Sequence, residues 1–213
     1  MTETLSLRAK IEQSPMGAYQ WMIVVMAAIM NLLDGFDVLA LAFTATAIRG
    51  EFGLTGIELG YLLSAGLFGM TAGSLFLAPL ADKIGRRPLL LMAVSLSAIG
   101  MLGSAFISQY QWLGFWRVIT GLGVGGILVG TNVITSEYSS RKWRSFAISV
   151  YAAGFGIGAV LGGMFAVMLQ GEYGWRSVFL AGAILTGLLL VVLFIWLPES
   201  IDFLTSKQPK NAE

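Results

Sequence analysis

Residues 177–197 read SVFLAGAILTGLLLVVLFIWL and contain no charged side chain. An α-helix rises 1.5 Å per residue, so about 20 apolar residues cross the roughly 30 Å hydrocarbon core of a lipid bilayer. A run of this length without a single charge is rare in the core of a soluble protein. It therefore predicts a membrane-spanning helix.

The same criterion predicts six spanning helices in all, and four of the six stretches carry no charged residue. The predicted spans are 21–47, 59–81, 88–107, 112–136, 145–169 and 177–197. We therefore predict an all-α membrane protein with a six-helix bundle over 21–197, flanked by an N-terminal segment, 1–20, and a tail, 198–213. The N-terminal segment carries Arg8 and Lys10 and lacks an apolar signal core, so we expect no removable signal peptide.

The composition excludes most catalytic chemistry. The 213 residues are 56% hydrophobic and 12% charged, with a net charge of +1 and neither Cys nor His. Disulfide scaffolds, thiol catalysis, Cys/His zinc sites and serine–histidine triads are excluded by the missing residue types. The charge balance argues against a nucleic-acid partner. We expect a protein whose main partner is the lipid bilayer, with no cofactor or metal and no enzymatic activity.

The basic residues of the short loops predict the orientation, because Lys and Arg are enriched on the cytoplasmic side. With the N-terminus inside, ten basic residues fall on the cytoplasmic side and two, Arg49 and Arg176, fall outside. The ten are Arg8, Lys10, Lys83, Arg86, Arg87, Arg141, Lys142, Arg144, Lys207 and Lys210. Both termini are therefore predicted to be cytoplasmic in a multi-pass protein of a bacterial inner membrane.

Glycines within the predicted spans have the spacing of close helix packing. Gly121, Gly123 and Gly126 also satisfy the nucleotide-binding pattern G-x-G-x-x-G, but that pattern requires a preceding strand, and here it lies inside an apolar span. In lipid, small residues let helix backbones approach and supply the contact. We predict a packing role for Gly121, Gly123, Gly125, Gly158 and Gly162.

Three charged residues lie within the predicted spans. Asp34 and Asp37 interrupt the first span as DGFD, and Arg117 interrupts the fourth. A charge near the bilayer centre costs at least about 2.5–3.5 kcal/mol, so each must face a partner or a wet cavity. The two aspartates are three residues apart and share a helical face. The spacing allows either an Asp–Arg pair, which would only neutralise charge, or an Arg–anion contact beside an aspartate.

The predicted cytoplasmic loops combine basic residues with acids. Asp82 and Glu137 lie among them, and the basic members are Arg86, Arg87, Arg141 and Arg144. Basic residues alone would serve to orient the chain in the membrane, whereas the two acids favour salt bridges that open and close. We expect these six residues to form a cytoplasmic gate, with the orienting role as the alternative.

These motifs resemble those of the major facilitator superfamily. The loop LADKIGRR at 80–87 is similar to that superfamily's signature between its second and third helices, although Ala78 stands where the pattern begins with Gly. Arg117 and the glycines after it resemble the fourth-helix motif R-x-x-x-G-x-G-x-G. Pro198, Glu199 and Ser200 resemble the end of the sixth helix. The resemblance implies a secondary transporter built from 3+3 inverted repeats.

Within the superfamily, DGFD at 34–37 resembles the first-helix signature of the aromatic acid:proton symporters. That resemblance implies symport of small aromatic or related carboxylic acids with protons, with Asp34 and Asp37 carrying the proton and Arg117 binding the substrate carboxylate or tuning the aspartates. Ala159 replaces the proline of the antiporter motif G-P-x-x-G-G, which disfavours a drug–proton antiporter.

Members of the superfamily have twelve helices in two halves, and the chain resembles the N-terminal half. We expect a fragment, a truncated reading frame or a half that pairs with a missing C-terminal six-helix half. Two alternatives stay open. One is a facilitator of another solute, such as a sugar or a dicarboxylate. The other is a six-helix channel or scaffold without proton coupling, in which acidic side chains line a pore.

Overall fold

The computed structural model describes residues 15–207, which form seven helices. They are α1 (Ala18–Phe52), α2 (Gly56–Ile84), α3 (Arg86–Ala105), α4 (Tyr110–Tyr138), α5 (Arg144–Tyr173), α6 (Arg176–Trp196) and α7 (Ile201–Lys207). Residues 1–14 and 208–213 lie outside the described residues, and with them Arg8, Lys10 and Lys210 of the predicted cytoplasmic segments.

Helices α1 to α6 are long and apolar enough to cross a membrane, which confirms the predicted six-helix fold. Several helices extend beyond the predicted apolar spans, most clearly α1, which continues to Phe52 rather than ending at 47. A helix needs no hydrocarbon around it to continue, so the charged Arg49 and Glu51 form its last turn. The helix ends at Gly53, whose φ of 64° is a left-handed conformation that favours glycine.

Helices α1 and α4 form the centre of the bundle. Helix α5 packs along α1, α2 packs along α4, and α3 packs against both α4 and α6. Exchanging the first three helices for the second three maps the α2–α4 contact onto the α5–α1 contact, as expected for a 3+3 repeat. The outward surfaces of α2 and α5 carry many exposed apolar side chains, including Phe68, Phe76 and Met168.

Glycines bring α4 into backbone contact with two neighbours. A Cβ at Gly69 or Gly73 of α2 would collide with the α4 backbone, and a Cβ at Gly121 or Gly125 would collide with the α2 backbone. Gly123 faces the opposite side and meets the backbone of α3. Lipid provides no hydrophobic drive between helices, so this close approach supplies the packing attraction.

Helix α1 meets α5 in the same way. Gly35, the glycine between the two aspartates, lies against the α5 backbone, while Gly154 and Gly158 of α5 lie against the α1 backbone. Gly162 leaves room for the ring of Phe36. The α5 backbone therefore fills the space beside the glycine of the DGFD sequence.

The beginning of the predicted tail, 198–213, packs on the bundle. Ser200 and Ile201 are buried, and the Glu137 carboxylate accepts hydrogen bonds from Ser200 Oγ at 2.7 Å and from the Ile201 backbone N–H at 3.0 Å. An acidic side chain at a helix N-terminus satisfies donors that have no partner within the helix. Helix α7 therefore begins against α4 instead of leaving the bundle as a free tail.

Candidate functional site

Asp37 lies in the middle of α1 and is 1% exposed. Its Oδ2 accepts a hydrogen bond from Ser97 Oγ of α3 at 2.6 Å, whereas its Oδ1 has no hydrogen-bond partner among the described residues. Gly182 lets α6 come close to this carboxylate, since a Cβ there would lie 3.3 Å from Oδ1. The carboxyl group thus sits between α1, α3 and α6, and it also interacts with Thr186 of α6.

Asp34 is 2% exposed and lies about one helical turn from Asp37. Its Oδ2 has no partner among the described residues. Asp34 interacts electrostatically with Asp37 and with Tyr151 of α5. The Tyr151 backbone oxygen accepts a hydrogen bond from Asn31 Nδ2 at 2.8 Å. Although both aspartates project from α1 as predicted by their spacing, their neighbours come from different helices.

Arg117 is 3% exposed and its guanidinium is held by polar atoms of three helices. Nη1 donates to the Asp37 backbone oxygen at 3.2 Å, and Nη2 donates to Thr120 Oγ1 at 2.9 Å and to Ser104 Oγ at 3.1 Å. Nη2 also approaches Met101 Sδ at 3.0 Å. Among the described residues Nε has no hydrogen-bond partner.

Of the two arrangements that the sequence left open, the structure does not contain an Asp37–Arg117 carboxylate ion pair within residues 15–207. The guanidinium reaches the Asp37 backbone oxygen, and the Asp37 carboxylate bonds Ser97 instead. The opposite charges are therefore close, but no hydrogen bond joins the two side chains. An anion at Arg117 and a proton on Asp37 would therefore occupy different positions.

A cavity of about 130 Å³ lies beside this cluster, between α1, α2 and α4. Asp37 and Arg117 contribute to its wall, and most of the remaining lining is apolar, including Leu62, Met70 and Val124. For comparison, an apolar cavity of about 150 Å³ accommodates benzene.

Some site residues were not predicted from the sequence. Ser97 and Ser104 are seven residues apart in α3 and both face the cluster, a spacing that places them on one side of the helix. Phe179 of α6 lies under the Arg117 guanidinium, with Cζ 4.9 Å from the ring centroid. One Phe among the 13 in the chain offers no such signal.

The predicted gate residues gather at the end of the bundle that carries the α2–α3 turn. Arg86 Nη2 and Asp82 Oδ1 form an ion pair at 2.6 Å. Arg87 Nη2 instead donates to the Phe194 backbone oxygen at 2.7 Å, which the helix cannot bond because Pro198 lacks an N–H. Arg141 is exposed, and Arg144 is partly buried.

Glu199 is the member of this network that the predicted gate lacked. Its Oε1 accepts hydrogen bonds from the backbone N–H groups of Arg86 at 2.7 Å and Arg87 at 3.1 Å, at the N-terminus of α3. Gly85, with φ of 104°, leaves room for this carboxylate. Glu137 makes the same kind of contact with the N-terminus of α7. At this end of the bundle, two carboxylates therefore bind the N-termini of helices.

No metal site is evident in the part of the chain that the structure describes, since no three acidic, His or Cys side chains are grouped to hold an ion. The fold and the buried cluster define an α-helical membrane protein with six spanning helices and a polar centre. The sequence profile of the Major Facilitator Superfamily matches residues 27–211. The chain belongs to the Major Facilitator Superfamily.

Curated relatives support the narrower resemblance to aromatic acid transporters. The chain is 37% identical over 198 residues to the gallate transporter of Pseudomonas putida, covering 93% of this chain and 44% of that protein. It is 36% identical over 202 residues to the 4-hydroxybenzoate transporter PcaK of Pseudomonas putida, covering 95% and 45%. The chain thus spans about half the length of these relatives, which are named as transporters and not as enzymes.

Solved structures show the same fold at lower identity. The chain matches the proton:xylose symporter XylE bound to 6-bromo-6-deoxy-D-glucose with a TM-score of 0.81 and 23% identity, covering 89% of this chain and 47% of that one. It matches a bacterial homolog of the human lysosomal transporter Spinster with a TM-score of 0.78 and 20% identity, covering 87% and 44%. This likeness concerns the fold alone.

Proposed function

We propose that this chain forms the N-terminal half of a proton-coupled symporter for small aromatic or related carboxylic acids and works together with a second six-helix half. The observation that carries the proposal is the burial of Asp34, Asp37 and Arg117 beside a mostly apolar cavity. The names of the gallate and 4-hydroxybenzoate transporters supply the substrate class.

The cluster can couple a proton to an anion through electrostatics. Burial disfavours the charged form of a carboxyl group, and a nearby guanidinium favours it. When a substrate carboxylate binds Arg117, it competes for that positive charge, so Asp37 takes up a proton more readily. The protonated aspartate in turn repels the anion less. Each ligand then strengthens the binding of the other, and this reciprocity is what symport requires.

The cavity and the charged cluster bind different parts of the substrate. The apolar walls of α2 and α4 accept the ring, and Arg117, which also lines the cavity, binds the carboxylate. A sugar would leave its hydroxyl groups unpaired against these walls, which costs free energy for each one. The second half contributes the opposite wall.

Uptake of radiolabelled 4-hydroxybenzoate into vesicles that contain both halves tests the proposal. An inward proton gradient should drive accumulation above the external concentration, and a protonophore should abolish it. A channel, the alternative, would only equilibrate the label and would not respond to the protonophore. Competition by gallate but not by xylose or succinate would separate aromatic acids from the other solutes that the sequence left open.

We further propose that both termini are cytoplasmic in a bacterial inner membrane, on the basis of the ten basic residues against two. Cysteine labelling is unambiguous because the chain has no native Cys. A Cys at the exposed Gly171, where a Cβ meets nothing within 4 Å, should react with an impermeant maleimide in intact cells, and a Cys at the exposed Lys142 should not. The reverse pattern would contradict the orientation.

We propose that the predicted gate operates at the cytoplasmic end, with Glu199 as an additional member. The Asp82–Arg86 pair is partly exposed, and such pairs are worth about 0–1 kcal/mol. Asp82→Asn should therefore reduce the uptake rate by shifting the balance of open states, while the amount of protein in the membrane stays normal. An unchanged uptake rate would leave only an orienting role for these charges.

A further inference from the structure

A cluster of Glu51, Trp175 and Arg176, here the Trp175 cluster, joins the C-terminal end of α1 to the start of α6. Trp175 Nε1 donates to Glu51 Oε2 at 2.6 Å, and Arg176 Nη2 lies 2.7 Å from Glu51 Oε1. The Arg176 guanidinium also covers the Trp175 ring, with Cζ 4.3 Å from the ring centroid. The Trp175 ring is thus held on its edge and on its face.

The Trp175 cluster is connected to the buried site through one aromatic ring. Trp175 and Phe179 pack edge to face, with centroids 5.7 Å apart and planes at 86°. Phe179 is 0% exposed, and its ring lies 4.9 Å from Arg117 Cζ. A guanidinium over an aromatic face is attracted by the negative face of the ring, most strongly where water is excluded.

The Phe179 ring and the Asp37 carboxylate are alternative partners for the Arg117 guanidinium. Arg117 already bonds the Asp37 backbone oxygen, so the Asp37 carboxylate is a nearby alternative for the guanidinium. An ion pair there would hold Asp37 in its charged form and occupy the donors that the substrate needs. Attraction to the Phe179 ring offsets part of the cost of burying Arg117 without using the carboxylate.

We propose that Phe179 is a positioning residue that keeps the Arg117 guanidinium away from the Asp37 carboxylate, and that the Trp175 cluster fixes the Phe179 ring for this purpose. The proposal rests on the proposed proton-coupled uptake, since positioning matters only if Asp37 must exchange a proton. It assigns a role in transport to a residue that touches neither the proton nor the substrate.

Few charged groups face this contact from the helices packed around it. Within the described residues, α1 contributes Asp37 and, one turn away, Asp34, and α5 contributes Tyr151 beside Asp34. Helices α3, α4 and α6 contribute hydroxyl groups: Ser97 and Ser104, Thr120, and Thr186. The cavity side of α2 is apolar. A change in pH dependence on altering Phe179 would therefore report on Asp37 and Asp34.

The first arm of the test is the pH profile of uptake for Phe179→Leu. We expect Arg117 to pair with Asp37, so that half-maximal uptake moves to lower pH by about one unit, because an adjacent positive charge favours the carboxylate by that amount or more. Phe179→Tyr keeps an aromatic face and should restore much of the profile. Phe43→Leu is the control, because it removes a partly buried ring of α1 that packs against Gly163 of α5.

The second arm does not depend on transport. Melting temperatures of the 213-residue chain in lipid nanodiscs are measured for Phe179→Leu, Arg117→Met and the double variant. If the two side chains interact, the loss in the double variant should be smaller than the sum of the single losses. Additive losses would show that the ring and the guanidinium are not coupled and would overturn the proposal.

The two hypotheses fail in different ways. Wild-type pH dependence in Phe179→Leu, together with normal proton-driven uptake by the unsubstituted protein, would overturn only the positioning role. Absence of proton-driven uptake by the unsubstituted protein would overturn the proposed function and, with it, the transport role of Phe179. A shifted profile in Phe179→Leu and in Phe43→Leu alike would assign the effect to general packing and would also overturn the proposal.

Discussion

Replacing both Asp34 and Asp37 with Asn should abolish the accumulation of an aromatic acid driven by a proton gradient. Asn has nearly the shape of a protonated Asp, but its amide cannot gain and lose a proton in the transport cycle. Both carboxyl groups are buried, and each has one oxygen without a hydrogen-bond partner among the described residues. The measurement is gradient-driven uptake into vesicles that contain both halves of the transporter.

Exchange transport provides the control for this variant. When labelled and unlabelled substrate are present on opposite sides without a proton gradient, a carrier with a fixed neutral side chain can still exchange them. We therefore expect the double variant to retain exchange while it loses accumulation. Single variants should identify which aspartate carries the proton, and Asp37, with Arg117 nearby, is expected to show the larger loss. Undiminished accumulation by the double variant would refute the mechanism.

Replacing Arg117 with Ala should weaken substrate binding by roughly 10- to 100-fold, since a hydrogen bond to a charged group contributes about 1.5–3 kcal/mol. Lys keeps the positive charge but lacks the planar arrangement of donors, so Arg117→Lys should recover only part of the affinity. Lys also has one nitrogen in place of the two that bond the Asp37 backbone oxygen on one side and Ser104 and Thr120 on the other. Competition with labelled 4-hydroxybenzoate measures the affinity.

Stability must be measured alongside, because Arg117 also bonds two neighbouring helices, α1 and α3. Loss of these hydrogen bonds leaves buried hydroxyl groups with fewer partners, which lowers the free energy of unfolding. Arg49→Ala is a suitable control, since Arg49 is an exposed cation in the last turn of α1. Wild-type substrate affinity in Arg117→Ala would exclude Arg117 as the anion-binding residue.

The spanning helices could be predicted from sequence because the bilayer imposes a simple requirement on length and polarity. In a chain that is 56% hydrophobic, a charge-free run such as 177–197 has few alternatives to forming a spanning helix. The same reasoning singled out Asp34, Asp37 and Arg117, since a charge in hydrocarbon is costly wherever the helices lie. Helix ends were predicted less well, because α1 continues past the apolar run until Gly53 permits the turn.

The partners of the charged residues were not predictable in this way. Spacing along α1 and α4 allowed an Asp37–Arg117 pair, but Ser97 of α3 binds the carboxylate and Phe179 of α6 faces the guanidinium. Ser97 and Phe179 are far in the chain from the charged residues that they contact, and both residue types are common in apolar helices. Likewise, Glu199 was noted only as part of a family motif, and its contact with the N-terminus of α3 depends on how α6 ends.

By itself, the sequence determined the membrane location, the number of spanning helices and the presence of three buried charges, because each of these follows from the free energy of placing residues in hydrocarbon. Only the tertiary structure decided how those charges are partnered. Glycines let α4 approach α2 and α3, and α1 approach α5, within backbone contact, and that approach sets which side chains reach Arg117 and Asp37. Partner choice depends on distances between helices, and such distances arise only when the helices pack.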